Sequence, residues 1–396
     1  MFSNQSKMTM VKAALNHDAP VYVQFFVTAR CNLTCKQCNV IYSNADVREC
    51  TLDEVKRIAD NFKKMGVAMV VLTGGEPFIR QDLPEMIREF ESRGIHVRMQ
   101  TNGLATEEQI HKAVEYGAKD VSISLDSLDP AMQDDINGGF AESWHKALKA
   151  IALFTKYLPK KDGFGALGCV MQSQNLHEIE NIIRFGSEIG WHSSLVPIHV
   201  SDHSIPLGFR TLDKSLKFKE HEYAEVDALV ERVRKMRDDG YLVYDSDQFF
   251  DDVKRFVRDG SSTWRDKNGG VCDSPGLYFT LLPNGHFAVC CDYRLPYAVP
   301  VYAPDFPKVY HEEKFRKDVY KVAKSCTEGC MYGCFPEITI SSRFMGATFQ
   351  RAKTFFLQKR KNPWPLSYEQ ILEIAKKHNR HDSDAKNLSL AQKNTL

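Results

Sequence analysis

The chain has 396 residues, with 52 basic against 51 acidic side chains and a formal charge of +1. That balance gives no overall field to draw nucleic acid, and no run of about 18 apolar residues exists to span a membrane. Its eleven cysteines, in a chain whose first 20 residues lack an uninterrupted apolar stretch, favour reduced thiols, metal ligation and a cytoplasmic setting over disulfides and export.

From residue 21 short apolar runs alternate with helical ones. VQFFVT (23–28), AMVVLT (68–73), IHVRMQ (95–100), DVSISL (120–125), FGALGCVM (164–171) and SSLVPI (193–198) read as strands covered on both faces. Between them lie TLDEVKRIADNFKKMG, DLPEMIREFESRG, TEEQIHKAVEYG and LHEIENIIRFGSEIG, each with an acidic or hydroxyl start and a glycine stop. The first also places Thr51 and Glu54 at capping-box spacing. Six β-then-α units predict an α/β fold, a partial (β/α)6 TIM-like barrel over 20–210, with its chemistry at the strands' C-terminal ends. A charged helical connector follows at 211–271, then a cysteine-rich zone at 272–340 and a basic, helical, finally frayed tail at 341–396.

The stretch ARCNLTCKQCNV (29–40) puts Cys31, Cys35 and Cys38 directly after the first strand. Three thiols suit neither a disulfide, which needs an even number, nor a four-ligand zinc site. They suit an iron–sulfur cluster with one iron left open. The second strand ends in Thr73-Gly74-Gly75-Glu76-Pro77, where paired glycines allow close backbone approach to a ligand and Glu76 offers a carboxylate to an ammonium. The third ends in Gln100-Thr101-Asn102-Gly103. On the fourth, Ser122, Ser124 and Asp126 share parity and so one face, which suits a sugar.

C-x3-C-x2-C after strand one and GGEP after strand two resemble the radical S-adenosylmethionine (SAM) superfamily, over roughly residues 20–210. The resemblance implies that Cys31, Cys35 and Cys38 ligate a [4Fe–4S] cluster whose open iron takes the amine and carboxylate of SAM. It implies that Gly74, Gly75 and Glu76 hold the methionyl end, with Asn102, Ser122, Ser124 and Asp126 as further SAM contacts, the last two toward the ribose. It also implies reductive cleavage of SAM to a 5′-deoxyadenosyl radical, which takes hydrogen from substrate, and an electron donor such as flavodoxin or ferredoxin. One position departs from the pattern. An aromatic residue commonly precedes the third cysteine, and Gln37 stands here.

VCDSPGLYFTLLPNGHFAVCCDY contains Cys272, Gly285, Cys290 and Cys291, with Asn284-Gly285 as a hairpin turn; Cys326, Cys330 and Cys334 follow. The C-x12-G-x4-C opening resembles the SPASM and twitch extensions of radical SAM enzymes, which hold auxiliary [4Fe–4S] clusters. Six cysteines imply one such cluster, with ligands Cys272, Cys290 and Cys326 and a fourth from Cys330 or Cys334. Cys291 is an alternative to Cys290, and a structural zinc site is the alternative to the cluster. Full thiolate ligation would favour electron transfer; an open iron would favour substrate binding. Cys50 and Cys169 read as ordinary packed residues.

The substrate is expected to be a small metabolite, a lipid precursor or a peptide. The last of these would make the chain a peptide-modifying or enzyme-maturing protein, and the rival of a different class is a non-catalytic iron–sulfur or zinc scaffold. His199, Asp202 and His203, in the loop after strand six, are candidate proton acceptors. In the tail, Met345, Phe349, Ala352 and Phe356 form an apolar stripe at helical spacing with Trp364 beyond, among basic residues. This stripe either packs as a lid over the barrel's open side or rests the segment 343–364 on an anionic membrane.

Overall fold

The computed structural model describes residues 19–43, 46–202, 210–266, 269–327, 329–354 and 362–379. Six parallel strands follow the expected order: β1 (Tyr22–Thr28), β2 (Met69–Gly74), β3 (His96–Thr101), β4 (Asp120–Ser124), β5 (Phe164–Met171) and β6 (His192–Pro197). Helices between them cover the outer face. The helix Leu52–Met65 shows how local sequence sets each boundary. Thr51 Oγ1 accepts from the Glu54 N–H while Glu54 accepts from the Thr51 N–H, and Gly66 ends the helix at φ 76°.

Strand parity separates two cores. Val23, Phe25, Val27, Val70 and Leu72 pack outward among the helices, whereas Tyr22, Phe26, Met69 and Val71 face the bore with Tyr278, Tyr332 and Phe335. On β6, Ser193 faces outward, 2.9 Å from where a Cβ on the helix residue Gly186 would sit. Ser194 faces inward and donates to Asp245 Oδ1 at 3.0 Å.

The cysteine-rich zone, expected as an appended extension, prolongs the barrel sheet itself. β7 (Tyr278–Leu281) pairs in parallel with β1 in the register Tyr22↔Tyr278, and β8 (Phe287–Ala288) returns antiparallel to β7 around the expected turn. The sheet order is β6-β5-β4-β3-β2-β1-β7-β8. All four β7 residues are buried, so the strand needs covers on both faces, which an isolated hairpin cannot provide. In place of further strands beyond β6, Val243 makes one parallel bridge to Ser193. The helix Cys334–Arg343 reaches in with Phe335, which stacks on Tyr278 at 4.4 Å and meets Tyr22 edge-on at 5.7 Å.

The tail departs from the lid expectation. On the helix Met345–Ala352, Met345 and Phe349 are 74% and 67% exposed, while Ala347 is the buried residue. Trp364 is buried apart from them, its Nε1 donating to the Ile189 carbonyl at 2.8 Å beside Trp191. Two of the basic residues are engaged inside the fold, Arg343 with Asp273 and Arg351 with Glu337. Phe356 lies outside the described residues. Among those described, no helix is long and apolar enough to cross a membrane.

Candidate functional site

The Gly74-Gly75-Glu76 turn is built against the cysteine loop. The Gly75 N–H donates to Thr28 O and the Glu76 N–H to Arg30 O, each at 2.8 Å. A Cβ on Gly74 would lie 2.2 Å from Thr28 O, and one on Gly75 2.0 Å from Arg30 O. The space these glycines keep clear on the Cβ side is taken by the neighbouring backbone of the cysteine loop. This packing is a second reason for two glycines here, beside the close approach to a ligand expected from the sequence.

Glu76 is 1% exposed. Its Oε1 accepts from the Phe78 N–H at 3.0 Å and Thr101 Oγ1 at 2.8 Å, and Oε2 accepts from the Asn102 N–H at 2.8 Å. Burial nonetheless pushes its carboxyl up to about 7, against the pull of those donors. A buried carboxylate so placed gains most from a cation beside it, which is the demand an ammonium meets. Asn102 serves the loop as well, its Nδ2 donating to Asn32 Oδ1 at 2.8 Å, one residue from Cys31.

Cys31, Cys35 and Cys38 sit together, with Cys38 raising both Cys31 and Cys35 electrostatically and Cys31 adding to the rise at Cys35. Burial is the leading cause for each, and it lifts Cys31 to about 11. A bound positive centre is what would hold all three as thiolates. Gln37, in the aromatic residue's place, donates from Nε2 to Asp126 Oδ2 at 3.1 Å. Asp126 is 1% exposed, and its Oδ1 accepts from the Val170 N–H at 2.6 Å. Burial lifts its carboxyl to about 7. Asp126 is thus tied to the loop and to β5 rather than open to a ribose, while Ser124 is exposed and Ser122 half-buried on the same face.

The second cysteine zone converges. Cys272, Cys290, Cys326 and Cys330 all line one cavity, walled by Trp264, Tyr278, Val289, Ala323 and Phe335 and carrying Arg210, Arg265 and Asp292. Cys291 points elsewhere, its Sγ donating to Gln24 Oε1 of β1 at 3.2 Å. The side chain of Cys334 lies outside those described. Among the described residues no group of three or more His, Cys, Asp or Glu is spaced to hold a single metal ion. Four thiols around one cavity suit a larger group, and the donor set fits an iron–sulfur cluster. Cys50 and Cys169 are buried in the main core, as expected.

Sequence reasoning missed Trp264 and Arg265, near the end of the stretch read as a charged helical connector. Trp264 Nε1 donates to Cys330 O at 3.0 Å, and Arg265 Nη2 to Cys326 O at 3.1 Å. These partners lie more than sixty positions apart, so no local signal marks them.

The two described proton-acceptor candidates stand in different settings, one buried and one exposed. His199 is buried, stacked on Tyr332 at 3.9 Å, and its Nε2 accepts from the Met331 N–H at 2.8 Å. Burial, then the Arg210 charge, holds it well below the ordinary imidazole range, so it is a structural acceptor rather than an open base. Asp202 is exposed, 3.4 Å from Lys214 Nζ, and His203 lies outside the described residues.

The model of the radical SAM superfamily matches residues 25–186. A probable GTP 3′,8-cyclase of Archaeoglobus fulgidus is 30% identical over 215 residues, 53% of this chain and 69% of that one. The PqqA peptide cyclase of Bradyrhizobium diazoefficiens is 29% identical over 172 residues, 43% of this chain and 44% of that one. Among solved structures, SuiB of Streptococcus suis bound to its precursor peptide SuiA superposes with a TM-score of 0.58 at 16% identity, covering 82% of this chain and 76% of that one, a likeness of fold. The cysteine loop, the turn packed on it and these matches agree: the chain is an enzyme of the radical SAM superfamily, whose members bind a [4Fe–4S] cluster and SAM.

Proposed function

We propose that the chain is a radical SAM oxidoreductase with a single auxiliary [4Fe–4S] cluster that is fully ligated by protein. Cys31, Cys35 and Cys38 hold the SAM-binding cluster, and Cys272, Cys290, Cys326 and Cys330 hold the auxiliary one. The convergence of those last four thiols on one cavity carries the reading. Four thiolates leave no iron open to substrate, which favours electron transfer over substrate binding. The bound cofactors supply hydrogen-atom abstraction from substrate and a one-electron acceptor for what remains; the protein aims this chemistry and excludes water.

The chain's own groups divide the remaining work. Glu76 receives the methionyl ammonium, and Gly74 and Gly75 seat its turn against the cysteine loop. Ser122 and Ser124 face the ribose. Asp126 acts indirectly by holding Gln37 beside the third ligand. The half-open inner positions Gln100 and Ser122 on one side, and Val170 and Val196 on the other, give the substrate a polar and an apolar wall. Gly168 lies between, and among the described residues only Ser122 Oγ comes within reach of a Cβ there, at 3.4 Å. Such a bore accepts a small metabolite or one side chain of a peptide. The peptide option is supported by the relative named for cyclising PqqA and by the SuiB fold with its bound peptide. Flavodoxin or ferredoxin is the proposed electron donor.

Anaerobic reconstitution with iron and sulfide, followed by dithionite and SAM, is expected to release 5′-deoxyadenosine. With Cys31, Cys35 and Cys38 all changed to Ala, about four irons should remain, as one cluster contains, and SAM cleavage should cease. A fully loaded wild-type protein that never cleaves SAM would overturn the reading and leave a non-catalytic scaffold. Zinc alone in the triple variant would make the second zone structural.

A further inference from the structure

The auxiliary cavity contains a buried ion pair that the thiols alone do not explain. Arg210 and Asp292 are each 3% exposed, with Nε 2.8 Å from Oδ2. Arg210 Nη2 donates to Gly329 O at 2.6 Å, the residue before Cys330, and the guanidinium lies over the Tyr332 ring at 5.5 Å. Tyr332 Oη donates in turn to Asp292 Oδ2 at 3.2 Å. Asp292 follows Cys290 by two positions, and its N–H donates to Cys290 Sγ at 3.4 Å. The pair thus touches the segments that carry Cys290 and Cys330.

Burying an ion pair is weak evidence for stability, because desolvation offsets most of the attraction and a packed apolar pair does as well. A charge requirement in the cavity is a better reason. A four-iron cluster held by four thiolates is an anion, and its charge grows by one on reduction; nearby charge, hydrogen bonding and burial set its potential. Arg210 reaches the backbone beside Cys330 directly and the Cys290 segment through Asp292, so its charge lies beside two of the four thiols.

We propose that Arg210 is a positioning residue that raises the reduction potential of the auxiliary cluster, with Asp292 as its counterweight, so that the pair sets how readily the cluster accepts an electron. This inference rests on the cluster assignment under Proposed function. The Arg210 cation favours the more negative, reduced cluster, while the Asp292 carboxylate disfavours it. The two charges therefore act with opposite sign on one quantity, which a merely structural pair would not do.

The test uses the full chain with Cys31, Cys35 and Cys38 changed to Ala, so that any cluster seen is the auxiliary one, reconstituted anaerobically and titrated with redox mediators under electron paramagnetic resonance. At equal iron content, Arg210→Gln is expected to lower the potential and Asp292→Asn to raise it, each by at least a tenfold change in the reduction equilibrium, about 59 mV for one electron. The double variant should return toward the parent value. Arg210→Lys, which keeps the charge, should stay near the parent. If Arg210→Gln loses iron, Asp292→Asn and Arg210→Lys decide the matter. Unmoved potentials, or shifts of one sign in Arg210→Gln and Asp292→Asn, overturn the inference. A parent that assembles no cluster overturns the cluster assignment instead, a separate and visible failure.

Discussion

Gly75 and Arg30 meet backbone to backbone, so closely that a Cβ on the glycine would fall 2.0 Å from the arginine's carbonyl oxygen. This contact sets the distance between the Gly-Gly-Glu turn and the cysteine loop. Gly75→Ala is expected to force the two apart. Because misplacement of about 1 Å can cost about a hundredfold in rate, SAM cleavage should fall by at least that factor. Iron content measured alongside separates the possible causes. Normal loading with lost cleavage indicates a displaced turn, and wild-type cleavage would show that the loop accommodates the methyl.

The barrel was legible in the sequence because each β-then-α unit carries its own signals, such as the Thr51–Glu54 box and the Gly66 stop, and these form within a few residues. The cysteine loop and the Gly-Gly-Glu turn were legible for the same reason. Three matters were not. The pairing of β7 with β1 joins residues more than 250 positions apart, and a four-residue buried strand does not name its partner. The choice between Cys290 and Cys291 depends on which face of a chain segment meets Gln24 of β1. The fate of His199 depends on Met331 and Tyr332, which close over it from the far end of the chain. Each is set by long-range packing rather than by spacing.

Cys290 and Cys291 provide a clean contrast. Cys290→Ser is expected to cost the auxiliary cluster most of its iron, because that thiol lines the cavity. Cys291→Ser should leave iron unchanged, since its thiol is turned to Gln24, and weakening that hydrogen bond costs about 1 kcal/mol. Iron and sulfide analysis of the two variants in the background lacking Cys31, Cys35 and Cys38 decides the point. Equal loss in both would mean that the ligand is shared or exchanged.

Asp245 and Glu337 place two buried carboxyl groups near each other behind β6. Burial, followed by the Glu337 charge, raises Asp245 to about 8. An unfolded aspartate releases its proton near pH 3.9, so between about pH 4 and 8 the folded chain binds more protons than the unfolded one. Stability from this group therefore falls as pH rises through that window. Asp245→Asn removes the charge, while its amide can still meet the Ser194 hydroxyl. It should flatten the profile and raise stability at pH 8 by roughly 1–3 kcal/mol, the scale on which an imperfectly compensated buried group costs a folded protein. Urea midpoints at pH 5 and pH 8 measure this. A variant less stable at pH 8 would mean that the ionised carboxylate is favoured by its surroundings.

Met345 and Phe349 stand one helical turn apart and both face outward, so Phe349→Glu meets solvent and not a core. Its stability should stay within about 0.5 kcal/mol of wild type, as for other exposed sites; a lid packed on the barrel would instead have lost several. The same variant tests a peripheral membrane contact. Burying one Phe-sized side chain yields roughly 1.5–3 kcal/mol, and each Lys or Arg near an anionic leaflet adds about 1 kcal/mol, weakened by salt. Since Trp364 is enclosed and Arg343 and Arg351 are paired inside the fold, a membrane contact here would rest on the outward face that carries Met345 and Phe349. On that reading wild-type protein co-sediments with phosphatidylserine-containing vesicles at low salt, is released as salt rises, and loses the interaction on Phe349→Glu with its folding intact. Wild-type protein that ignores such vesicles at low salt would remove the membrane from consideration and leave the exposed pair without a lipid role.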